Sequence, residues 1–212
     1  MGSAKQNKPL PNDRRARLDE MRRQARARDR RNRIITVTAS VAVVAALVVG
    51  GTYLFTAAEE KQKADAAPVE GVRTWKDLGR EHVDKAVSYK MAPPAGGDHS
   101  PAWMNCNADV YDKEIPNENA VHSLEHGAVW VTYNSKAAEA DVEKLSDKVS
   151  ATPYSLMSPY KDQESPIALS AWGHRLEVKD ASDPRIDRFF KQYVQGPQTP
   201  EPGAACTGGV GA

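Results

Sequence analysis

The run Asn119-Ala-Val-His122-Ser-Leu-Glu125-His126-Gly-Ala-Val-Trp130-Val-Thr-Tyr133 concentrates the side chains of this chain that are able to ligate a metal or move a proton. Two of the five histidines stand in it, four positions apart, with Glu125 between them. Whether they act together depends on backbone conformation. On a helix, residues i and i+4 share a face about 6 Å apart; on a strand they lie about 13 Å apart, too far for one ion. Gly127 suits the position just past a helix end, and Ala128–Tyr133 is β-branched and aromatic, hence strand-like. The reading is a short helix or turn running into a buried strand, with both imidazoles near the junction.

Further ligands are available from two irregular stretches. Met91–Asn105 contains Pro93-Pro94 and Gly96-Gly97, which exclude regular structure, and carries His99, Trp103 and Met104. Thr152–Tyr160 contains two prolines and Met157. His122 and His126, completed by His99, Met104 or Met157, form a candidate metal site. A thioether in the shell favours copper, because soft sulfur binds Cu(I) well; zinc is the second choice. The same residues also fit H-x-x-E-H, the pattern of inverted zinc peptidases, in which Glu125 becomes a general base and the protein a small zinc-dependent hydrolase. A third reading needs no metal: the histidines cap or bond backbone beside a strand in a cell-envelope interaction or structural module. His82 and His174 have no ligand-type neighbours at helical spacing and are assigned to the surface or to ordinary hydrogen bonds. No Gly-x-Ser-x-Gly elbow, phosphate-binding glycine loop or dinucleotide fingerprint occurs in residues 71–212.

The elements that must position these residues follow from charge and hydropathy. Residues 1–33 hold twelve Lys/Arg against four acids, a net +8, so the chain's total of +1 leaves −7 on residues 34–212. Ile34–Phe55 is uncharged over 22 residues, about 33 Å as a helix and enough for a bilayer core. The basic flank is too long, and the apolar run too long, for a secretory signal, so the segment reads as an uncleaved single-pass anchor. Lys and Arg stay cytoplasmic. The expected localisation is the plasma membrane, with the N-terminus inside and the C-terminal domain outside. Residues 1–12 look irregular, and Arg14–Arg33 reads as a helix continuing into the membrane. The basic segment lacks the interleaved aromatics of a nucleic-acid binder; it reads first as a plain topology signal beside the membrane, with adhesion to anionic lipid head groups as the alternative.

The expected divisions are therefore 1–33 basic cytoplasmic segment, 34–55 transmembrane helix, 56–70 linker and 71–212 extracytoplasmic domain. Within the domain, Glu81–Tyr89 alternates weakly as a strand would. Ser135–Val149 has an apolar helical face of Ala138, Val142, Leu145 and Val149. Pro166–Trp172 is an apolar buried strand, which His174–Lys179 extends or pairs. Pro184–Val194 is a second amphipathic helix, with Ile186, Phe189, Phe190, Tyr193 and Val194 on one face. The fold class is α+β: a single N-terminal transmembrane helix, then a small, mostly antiparallel sheet with two packed helices. The only cysteines, Cys106 and Cys206, are expected to form a disulfide, since their number is even and the compartment oxidising.

Pro93-Pro94-x-x-Gly97-x-His99, Trp103, Pro116-x-x-x-Ala120-Val121-His122-Ser123-Leu124-Glu125-His126-Gly127-Ala128-Val129-Trp130, Ser170-Ala171-Trp172-Gly173 and Phe189 to Gly196-Pro197 together resemble domain of unknown function family 3105. The likeness covers roughly residues 71–212. It implies a small, membrane-anchored or exported bacterial protein and sets the extent of the domain. It implies no activity and brings no site residues, so the metal site rests on the residues themselves.

Overall fold

The computed structural model describes residues 11–211 and divides into two compact units, Met1–Ala64 and Asp65–Ala212. Of the irregular N-terminal segment expected over residues 1–12, residues 1–10 lie outside the described residues, and Pro11 already opens a helix. This helix, α1, runs Pro11–Ala66 without a break. It joins the basic flank, the apolar run and most of the expected linker, because the Ala, Glu and Lys of residues 57–66 are among the best helix formers. It is long and apolar enough to cross a membrane. Its apolar side chains, Leu47, Val49, Leu54 and Phe55 among them, are exposed. Thr36 and Thr38 return their hydroxyls to the carbonyls of Asn32 and Ile34, which satisfies them without water.

The second unit is built on one six-stranded sheet. Its strands are β1 (Arg73–Thr74), β2 (Asn107–Val110), β3 (Val129–Tyr133), β4 (Ser155–Pro159), β5 (Ile167–Ala171) and β6 (His174–Val178), in spatial order β1-β6-β5-β3-β4-β2. Three of the five pairings are antiparallel, and β4 lies parallel to both β3 and β2. The architecture is α+β with a mostly antiparallel sheet. Alternation assigns the two faces. Val129, Val131, Met157, Ile167, Leu169 and Leu176 point to one face, where helices α3 (Glu139–Ser150) and α4 (Arg185–Tyr193) cover them with Leu145, Val149, Ile186, Phe189 and Phe190. Trp130 and Leu156 point to the other face and meet Ala120, Val121 and Leu124 of helix α2 (Asn117–Glu125). The functional candidates all belong to this second layer, Met157 excepted.

Three sequence expectations change here. Glu81–Tyr89 forms no strand. Its backbone is held instead by a short bridge to the glycine-rich loop, with Val83 N–H donating to the His99 carbonyl at 2.7 Å and His99 N–H to that of Glu81 at 3.0 Å. Residues 155–159, expected to be irregular, are a buried strand. The polar positions there are satisfied: Ser155 Oγ donates to Thr152 O at 2.7 Å, and Ser158 Oγ accepts from Trp130 Nε1 at 3.0 Å. Helix α3 starts four residues late, because the Asn134 side chain accepts from Lys136 N–H and keeps 134–136 in a turn.

Candidate functional site

Helix α2 is short and its end is firmly set. His126 N–H bonds His122 O, Gly127 N–H bonds Leu124 O and Ala128 N–H bonds Ser123 O, with Gly127 at φ +92°. This is the two-bond glycine termination that turns the chain into β3. With Ala120, Val121 and Leu124 against the sheet, the opposite flank of α2 presents His122, Glu125 and His126 to the loop and the C-terminal tail. The helical spacing thus puts both imidazoles on one side, with ring centroids 4.5 Å apart.

The loop is bound tightly to this flank. Asn119 donates to Ala102 O at 2.6 Å, and Ser123 Oγ donates to Met104 O at 2.8 Å. His99 is thereby set 4.9 Å, ring to ring, from His122. The bridge to residues 81–83 brings His82 within 4.9 Å of His99 and 4.8 Å of His122. His82, His99, His122 and Glu125 each offer one ligand atom, and these atoms all lie within 4.8 Å of one another. His99, His122 and Glu125 are 0, 4 and 1 % exposed.

The hydrogen bonds on the far side of each ring decide what the near side offers. His99 Nδ1 lies 2.7 Å from Gly97 O, His122 Nδ1 2.7 Å from Ser100 O and His126 Nδ1 2.6 Å from Ala205 O. A carbonyl only accepts, so each Nδ1 carries a proton, and a ring in its neutral form presents a lone pair at Nε2. Burial pushes the His122 pKa down to about 4; the Ser100 carbonyl opposes this, and the neighbouring histidines add to it. Burial also lowers His126, against the pull of Ala205, Glu201 and Glu125. Both rings are neutral near pH 7.

Glu125 is held from two sides. Arg80 Nε lies 2.6 Å from its Oε1, while His99 Nε2 lies 2.9 Å and His82 Nε2 3.8 Å from its Oε2. The His99 contact has the distance of an ion pair, yet among the described residues Nε2 is buried without a hydrogen-bond partner. At 2.9 Å only misdirection explains this: a proton on Nε2 would not point at the oxygen. The two atoms therefore approach closely in a buried site without a well-aligned hydrogen bond between them.

The other sequence candidates fall elsewhere. Met104 is in the core beside Cys106 and Cys206 rather than among the imidazoles. Met157 lies on β4, on the sheet face opposite α2, packed under α3 and α4. Residues 155–159 are a buried strand, residues 91–105 remain an irregular loop held against α2, and hydrophobic burial rather than ligation places the two thioethers. His126 adjoins His122 but stands outside the four-residue group, with its Nε2 3.9 Å from Glu201. His174 bonds Trp172 O and stacks on Tyr193, away from the cluster. His82, read from sequence as a surface residue, joins the group. The weak alternation of residues 81–89 does not mark it, because its position comes from a bridge to a loop 17 residues on. Arg80 and Glu201 were equally invisible to spacing. Trp103 lies over His122 and His126 at 5.7 and 5.1 Å.

The tail closes the site. Cys106 and Cys206 are disulfide-bonded across a separation of 100 residues, with Cα atoms 4.7 Å apart. The bond fixes Ala205, whose carbonyl orients His126, and Glu201, whose N–H donates to Glu125 O at 3.1 Å.

A small mixed-sheet domain with three buried or half-buried imidazoles and a carboxylate converging from a helix, a loop and an extended segment defines a compact polar-site protein. The model of the family described as Protein of unknown function (DUF3105) matches residues 82–208, more than half of the chain, and the chain belongs to that family. No curated protein and no solved structure matches it.

Proposed function

We propose that residues 71–212 bind one divalent transition-metal ion through His82, His99, His122 and Glu125, outside the cytoplasm, on a single membrane anchor. The observation that carries this reading is the set of far-side hydrogen bonds. Ring Nδ1–H donation to backbone carbonyls is the arrangement that orients metal-ligating histidines and fixes Nε2 as the donor atom. The close, misaligned approach of His99 Nε2 to Glu125 Oε2 adds to it, since a cation lying off that line relieves it. With both thioethers in the core, the case for Cu(I) loses its ground. Three imidazoles and a carboxylate suit zinc first and Cu(II) second.

The geometry favours holding a metal over peptide hydrolysis. In H-x-x-E-H enzymes both histidines of the motif ligate and the glutamate stays free as base. Here His126 stands apart from the group and Glu125 is tied to Arg80. Membrane tethering is supported by the length of α1 and by the +8 flank, which favours an inside N-terminus. The disulfide fits the oxidising side. A metal-free envelope module remains the outcome if no ion binds. Titration of the full chain in detergent with Zn(II) and Cu(II) tests the reading: one equivalent should bind, with affinity lost in His82→Ala and His122→Ala and kept in His174→Ala. Equal effects of all three substitutions would leave the metal-free module.

A further inference from the structure

We infer that Arg80 and the bound metal together form a two-point site for a small carboxylate. The inference rests on the metal reading above and gives that site a ligand class. Two members of the cluster are half exposed, Arg80 at 49 % and His82 at 47 % of their side chains, whereas Glu125 is 1 % exposed. They stand two residues apart and reach the same carboxylate, Arg80 Nε 2.6 Å from Oε1 and His82 Nε2 3.8 Å from Oε2 of Glu125. The solvent-facing rim of the site is therefore one guanidinium and one imidazole.

Arg80 is used differently from Arg175 and Arg185, the other arginines of this domain held close to a carboxylate. Arg185 spends its fork on Asp183, through Nε at 2.9 Å and Nη2 at 2.6 Å. Arg175 donates from Nη1 to Pro93 O at 2.9 Å, and its Nη2 lies 2.7 Å from Glu177. Arg80 engages Glu125 through Nε alone. Its Nη2 stands 3.7 Å from Glu201, beyond hydrogen-bond distance, and neither Nη makes a hydrogen bond among the described residues. Four of the five N–H donors thus remain on a half-exposed edge beside the metal ligands, in the planar geometry that pairs with a carboxylate.

Charge makes the two points interdependent. Without metal, Arg80 faces two carboxylates, Glu125 and Glu201, a local balance of −1 that repels an anion. A divalent ion among neutral imidazoles changes the balance to +1. With the four protein ligands in place, the carboxylate enters as a fifth ligand, a coordination number that zinc can expand to reach. A carboxylate that donates one oxygen to the metal and accepts from the free edge of Arg80 fits both. The coupling is reciprocal, so the carboxylate also tightens the metal.

The test uses the full chain in detergent, loaded with Co(II), whose visible absorption reports its ligands, and titrated with acetate. Wild type should show a saturable spectral change. Arg80→Gln should take up cobalt but weaken acetate binding at least tenfold, and Arg80→Lys should restore part of it. Without metal, acetate should not bind. Cobalt uptake with no saturable acetate response, or an equal acetate affinity in Arg80→Gln, would overturn this inference and leave the metal site standing. Absence of cobalt uptake by wild type would overturn both.

Discussion

Glu125→Gln separates a metal site from a purely structural ion-pair network, because the two readings give opposite signs. The substitution keeps shape and removes a charge that is 1 % exposed. If Glu125 is structural, it serves as the buried partner of Arg80 and of a protonated His99. Breaking a buried pair then costs about 3–5 kcal/mol. If His99 is neutral, with its Nδ1–H committed to Gly97 O, the buried Nε2 lone pair lacks a donor. A turn of the introduced side chain brings its amide N–H onto the Nε2 axis, so that it donates to His99 while its oxygen still accepts from Arg80 Nε. The new bond contributes about 1 kcal/mol and removes an unsatisfied buried acceptor, offsetting the weaker contact with Arg80, which stays half solvated. The metal-free protein should thus be unchanged or stabilised by about 1 kcal/mol, roughly 2–4 °C in Tm for a unit of about 150 residues. Zinc at a hundred times its Kd stabilises wild type by about 2.7 kcal/mol, roughly 5–11 °C. That gain should vanish in Glu125→Gln. Differential scanning calorimetry with and without zinc reads both quantities. A metal-free Tm lowered by about 6 °C or more, with the zinc shift retained, would refute the reasoning.

Other outcomes follow from the same contacts. His122 is neutral in the folded state down to about pH 4 and titrates near 6.5 when unfolded. Between these values the unfolded chain binds more protons, so metal-free stability should fall as pH drops from 6.5 to about 4, by at most about 3 kcal/mol. His122→Gln should flatten that part of a denaturation–pH profile, and an unaltered slope would count against it. Cys206→Ser opens a loop of 100 residues and should lower stability by up to about 4–5 kcal/mol, read by urea denaturation. It should also free the tail, detected as proteolysis within residues 195–211 that wild type resists; equal resistance would speak against the strap. A reporter active only outside the cytoplasm, fused after Ala212, should be active, and activity of a cytoplasm-only reporter at that point would reverse the topology.

What the sequence made legible was local. Helix α2, its glycine stop and the strand after it follow from residues 119–133, and so does the juxtaposition of His122 with His126. The apolar run of β5 and the amphipathic faces of α3 and α4 were equally readable, because such patterns are written in contiguous residues. The site's completion was not. His82 arrives through a bridge between two irregular segments, Arg80 through its reach to a buried carboxylate, and Glu201 through a tail pinned by a disulfide. None of these leaves a period. Met157 misled for the complementary reason: prolines at 153 and 159 suggested a loop, while two parallel neighbours made residues 155–159 a buried strand.

X-ray absorption at the zinc edge, on the full chain in detergent loaded with one equivalent, reads the ligands of the bound ion themselves. Only nitrogen and oxygen neighbours are expected, at about 2.0–2.2 Å, with the multiple scattering of three imidazoles and no sulfur. A sulfur shell near about 2.3 Å, or a spectrum of hydrated zinc without imidazole scattering, would contradict the proposed site.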